Sequence, residues 1–168
     1  MPSDSPRLDL LIANALRLAA NDSRDARTLR KTGSRNAAYL AEQAAEKLLR
    51  ALLTSEGVDI QRQDSHRLDI LVDKLPSGHP STEQLKRITF LTIFATTYRY
   101  PKTGGRLPPE PDWRKVDAAM ETVDVMIAEA ADHFGVDLSA SDSTPAQNID
   151  PMRYRDDGSG GGASGGPR

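Results

Sequence analysis

The chain has 168 residues, and 22 Lys and Arg against 24 Asp and Glu leave a formal net charge of -2. Such a length suits one domain with a substantial core plus a tail, and so small a net charge supplies no global field for nucleic acid or an anionic membrane, so a polyanion site must be a local patch. Cysteine is absent, which excludes disulfides, thiol catalysis and cysteine-ligated zinc or iron–sulfur sites.

The opening Met1-Pro2-Ser3-Asp4-Ser5-Pro6-Arg7 lacks the basic-then-apolar order of a signal peptide. No apolar run approaches the roughly 20 residues that cross a bilayer, so a soluble cytoplasmic protein is expected. Ser5 is placed to cap a first helix with Pro6 at its opening position, and Leu8, Leu11, Ile12, Ala15 and Ala19 share one face. The polar stretch from Asn21 to Arg30 leaves open whether that helix continues or breaks.

After Gly33-Ser34 a second helix carries Ala37, Ala41, Ala44, Leu48 and Leu52 as a stripe that Ala38, Ala45 and Leu49 widen, so it should pack against more than one neighbour. Glu46 and Arg50 are spaced for an exposed ion pair, and Gly57 ends the helix. Ser65 should cap a third helix with Leu68, Leu71, Val72 and Leu75 on one side, which Pro76 stops. Ser81 with Gln84 makes the reciprocal capping pattern for a fourth, whose Leu85, Ile88, Leu91, Thr92, Ala95 and Tyr98 reach towards Pro101.

A Gly- and Pro-rich loop follows, and Asp112 caps a fifth helix with Val116, Ala119, Met120, Val123, Ile127, Ala130 and Phe134 in line before Gly135. With no sustained alternation that would mark a strand, the pattern predicts an all-α, up-and-down bundle of about five helices over residues 1–138. Residues 139–168 form a Ser/Gly/Pro-rich tail, expected to be mobile because it offers little to bury.

Three segments together resemble the HEPN domain, a helical nucleotide-binding module. They are Ala41-Glu42-Gln43-Ala44-Ala45-Glu46-Lys47 continuing to Leu53, Ser65-His66-Arg67-Leu68, and Arg99-Tyr100-Pro101. The resemblance covers roughly Leu8 to Phe134. It implies a helical bundle, frequent homodimerisation, and action in a prokaryotic two-component, toxin–antitoxin-like module beside a minimal nucleotidyltransferase supplied by another chain.

Many relatives are ribonucleases that carry an Arg and a His with four to six residues between them, placed at a dimer cleft. This chain has three histidines and none at that distance after an Arg: Arg62 is too close to His66, and nothing suitable precedes His79 or His133. After Arg99 come Tyr100, Pro101, Lys102, Thr103, Gly104, Gly105 and Arg106, with no imidazole to serve as acid or base. A non-catalytic binder of a nucleotide, RNA or partner protein is therefore expected.

Arg99, Lys102 and Arg106 bring cations to one turn interleaved with Tyr98 and Tyr100, which suits a nucleotide or an RNA end. The plainer alternative has Tyr98 in the core and the cations neutralising helix-end carbonyls or pairing with acids. Glu42, Glu46 and Lys47 form a charged strip on the second helix, read either as a groove or as a solvated face, and His66 is read chiefly as fixing its turn. Asp117, Glu121 and Asp124 read as the outer face of the last helix. No metal site and no cofactor are expected. Two alternatives are an RNA endonuclease that joins Arg99 and His66 across the fold or a dimer, and a purely structural protein–protein adaptor.

Overall fold

The computed structural model describes residues 7–153. It contains α1 (Leu8–Lys31), α2 (Asn36–Ser55), α3 (Leu68–Asp73), α4 (Thr82–Ile88), α5 (Phe94–Thr97) and α6 (Trp113–Phe134), with 3₁₀ turns at Arg62–Asp64 and Thr89–Ile93 and no strand among the described residues. The protein is an all-α bundle. None of these helices is long and apolar enough to cross a membrane.

α2 is the central element, in contact with α1, α3, α5 and α6, and its interface with α1 is the most extensive in the molecule. Its alanines explain this arrangement: Ala38, Ala41, Ala44, Ala45 and Ala51 are all buried, and their small side chains let neighbouring helices approach closely while Leu48, Leu49, Leu52 and Leu53 fill the core. Gly57 ends the helix in the left-handed conformation, at φ 69°.

The first helix does not break at its polar stretch but runs to Lys31, because α6 supplies the partners. Arg30 donates to both oxygens of Asp117 at 2.8 and 3.1 Å and lies over the Trp113 ring, 4.2 Å from its centroid. Ser23 and Arg27 both donate to Asp124. Asp117 and Asp124 thus tie α6 to α1 instead of lining an outer face, and Glu121 alone of that trio is exposed. The cap expected from Ser5 and Pro6 lies outside the described residues.

Two other caps differ from expectation. Ser65 ends the 3₁₀ turn and its hydroxyl accepts from Arg50 at 2.9 Å. α3 instead starts at Leu68, whose N–H is satisfied by the Thr92 hydroxyl at 3.1 Å, a cap supplied from another part of the chain. Ser81 makes no side-chain cap, and its N–H donates to His79 Nδ1 at 3.2 Å.

The expected fourth helix is interrupted between α4 and α5. Two β-branched pairs, Ile88-Thr89 and Thr92-Ile93, crowd the preceding turn, and the Thr89 and Thr97 hydroxyls return to the carbonyls of Lys86 and Ile93, a bond that competes with regular helix. Asp112, by contrast, caps α6 as expected, accepting from the Lys115 N–H at 3.4 Å, and Gly135 closes it at φ 60°.

Packing does not stop at Leu138. Arg17 donates to the carbonyls of Asp137 and Thr144 at 3.1 and 2.8 Å, the Ala146 N–H donates to Asp9 O at 3.1 Å, and those of Gln147 and Asn148 share Phe134 O. Arg153 grips Glu56 with two bonds. Residues 139–153 are therefore held against the bundle by polar contacts, most of them to their backbone, which their composition does not advertise; residues 154–168, for which mobility was also expected, lie outside the described residues.

Candidate functional site

One face of α2 carries Tyr39, Glu42, Gln43 and Glu46 at helical spacing, and the segments expected to matter meet along it. At its N-terminal end a cavity of 430 Å³ is lined by Leu29, Asn36, Tyr39, Leu40, Phe94, Tyr98 and Arg99. Phe94 and Tyr98 stack with centroids 6.0 Å apart and planes 9° from parallel. The Arg99 guanidinium lies 5.8 Å from the Tyr39 centroid, within range of a cation–π attraction.

Arg99 is exposed. Ion pairs among the described residues use other cations, such as Arg30, Arg35, Arg67 and Arg153, and leave out Arg99, Lys102 and Arg106. The helix-end turn is closed by Lys102 N–H to Arg106 O at 2.8 Å and Gly105 N–H to Lys102 O at 2.9 Å. Tyr98 donates its hydroxyl to Pro109 O at 3.1 Å, and burial raises its pKa above the ordinary tyrosine value. Of the five residues expected at this site, Tyr98 and Arg99 line the cavity, while Tyr100, Lys102 and Arg106 are exposed on the segment beyond it. Tyr39, Asn36 and Phe94 were missed; Tyr39, one turn before Glu42, was the available signal.

Further along α2 the charged strip proves to be largely internal. Glu42 is fully buried and Glu46 is 6% exposed. His66, at φ 63° the only non-glycine with positive φ among the described residues, brings its Nδ1 to 2.9 Å from Glu46 Oε2 and 4.0 Å from Glu42 Oε1. Arg50 holds Glu46 Oε1 at 2.8 Å, so the ion pair expected at this spacing forms, but with a buried acid. Gln43 donates to Glu42 Oε2 at 2.7 Å, whereas Glu42 Oε1 has no hydrogen-bond partner among the described residues.

Burial raises the Glu42 pKa to about 7, assisted by the Glu46 charge and opposed by the Gln43 hydrogen bond and the charges of Lys47 and Arg99. Lys47 turns away to pair with Asp22 of α1. The Gln43 amide nitrogen also lies 3.2 Å from His66 Nδ1, so that ring nitrogen faces a donor and a carboxylate acceptor whose demands no single protonation state meets.

The remaining histidines stand apart from this face. His79 is buried, with Nδ1 accepting from Ser81 and Nε2 3.6 Å from Glu56, and burial lowers its pKa. His133 Nε2 lies 2.7 Å from Asp150 O.

Comparison with curated proteins and with solved structures finds no match. Residues 13–131, which include the whole of α2, the His66 turn and Arg99, match the family model described as HEPN domain, and the chain belongs to the HEPN family.

Proposed function

We propose that the protein is a non-catalytic HEPN-domain protein that binds a nucleotide, or the end of an RNA, in the cleft between α2 and α5. The observation that carries this reading is the 430 Å³ cavity in which Tyr39, Phe94 and Tyr98 offer aromatic surface beside Arg99, which enters no ion pair among the described residues. A base stacks on such a surface and a phosphate accepts from a guanidinium, each through contacts that tolerate any sequence. Lys102 and Arg106, on the exposed turn beyond, add positive charge along the path a strand would take.

Two features speak against cleavage. The Arg–His spacing of the family's ribonucleases is absent, and His66 sits against Glu42 and Glu46, whose charge opposes a phosphodiester at the imidazole. The proposed setting, a prokaryotic two-component module with a nucleotidyltransferase as partner chain, rests on family membership.

The test is thermal denaturation of the purified protein with adenosine and guanosine nucleotides and short RNAs, repeated with Arg99→Ala and Tyr39→Ala. Stabilisation by a ligand that disappears in both variants is the expected result. A ligand that stabilises all three proteins equally binds elsewhere and overturns the site. RNA cleavage lost in Arg99→Ala would replace this reading with the endonuclease one, and no response to any nucleotide would leave the adaptor.

A further inference from the structure

Glu42 and Glu46 lie one helical turn apart on a face of α2 that the bundle removes from solvent, and the turn before α3 lays an imidazole against both. In each carboxylate one oxygen is held by a neighbour and the other faces His66. Arg50 holds Glu46 Oε1, while Oε2 accepts from the His66 backbone N–H at 3.2 Å and lies 2.9 Å from the ring nitrogen. Gln43 holds Glu42 Oε2 and leaves Oε1, buried and without a hydrogen-bond partner, at 4.0 Å from the same nitrogen. A lone carboxylate oxygen fully removed from water is costly.

We propose that Glu42, Glu46 and His66 bind one divalent transition-metal ion, of the zinc or manganese kind, through Oε1, Oε2 and Nδ1. The three ligand atoms lie within 4.8 Å of one another. Bonds of about 2.1 Å at the tetrahedral angle set ligand atoms about 3.4 Å apart, a spacing bracketed by the 2.9 and 4.0 Å legs. Small side-chain rotations complete the geometry.

Two carboxylates balance the charge of a dication, and an imidazole ligand selects the borderline transition metals over magnesium and calcium. Arg50 and Gln43 act as the outer partners that orient the ligating acids. His66, with 41% of its side chain exposed, leaves an entry path and room for water or a ligand atom in the open coordination position. The raised Glu42 pKa fits the same arrangement, since a dication takes the place that a proton otherwise fills.

The untagged full chain, stripped with a chelator, is titrated calorimetrically with zinc, manganese and magnesium chlorides, and its spectrum is recorded with cobalt(II). Expected are one saturable zinc or manganese ion per chain, a raised melting temperature, and a cobalt ligand-field band. Glu42→Gln, which keeps the shape of the side chain, and His66→Gln each weaken binding by about tenfold or more, with circular dichroism showing both folded. Arg99→Ala keeps the metal whatever its effect on nucleotide binding, so the two readings fail separately. Absence of saturable binding, tighter binding of magnesium, or affinity unchanged in both variants overturns the proposal.

Discussion

Glu42 shows how far a residue's chemistry departs from its letter. With its pKa raised from 4.5 to about 7, the folded metal-free protein binds a proton there that the unfolded chain has lost. Stability from this group is fully present below pH 4.5 and disappears as pH rises through about 7, a swing of about 3 kcal/mol at most. Glu42→Gln should therefore flatten the fall in melting temperature between those pH values, measured with chelator present. His79 acts oppositely: its lowered pKa gives a contribution present above pH 6.5 and lost as pH falls through the folded value, and Glu42→Gln leaves that limb unchanged. An unaltered alkaline limb in Glu42→Gln would mean that the carboxyl is solvated in the folded protein.

At the scale of elements, the ends of α6 obey local signals: Asp112 and Gly135 bracket it as their positions imply. Short elements depend on distant partners. α3 has only six residues, too few to stand alone, and its first N–H is satisfied by Thr92. Thr92→Val preserves shape and removes that bond, so a loss of about 1 kcal/mol is expected in chemical denaturation. A loss far below this would show that water replaces the hydroxyl. Ser65→Ala should not abolish the α3 start, because Ser65 serves Arg50 instead.

At the scale of the whole molecule, a groove of 480 Å³ lies between α1 and α2, lined by Leu10, Leu11, Ala15 and Leu18 with the side chains of Gln43, Glu46, Lys47 and Arg50. Leu11 and Leu18 are each 51% exposed, an arrangement that costs free energy in water unless a surface covers it. A second copy of the chain is the partner that the family resemblance implies. Light scattering should give twice the chain mass of 18.3 kDa, and Leu11→Glu with Leu18→Glu should halve it without loss of helix. A dimer that survives both changes uses another face.

The sequence by itself determined the all-α class and the long helices in their order, because amphipathic spacing is a property of neighbours along the chain, while its three marked segments carried the family resemblance; the break between α4 and α5 and the start of α3 were not legible in it. It also carried the residues of the candidate site as letters: Arg99, Glu42, Glu46 and His66 stand in the three segments that bear the resemblance, and Tyr98 directly precedes the third. Only the tertiary structure decided what those letters do. Whether Glu42 and Glu46 are solvated or buried depends on the helices that α2 meets, Tyr39 joins Arg99 only when α2 and α5 pack, and residues 139–153 are held by Arg17 and Asp9, more than a hundred positions away. Burial and charge pairing are set by distances in space, and a single chain read in order contains spacing along the backbone but not those distances.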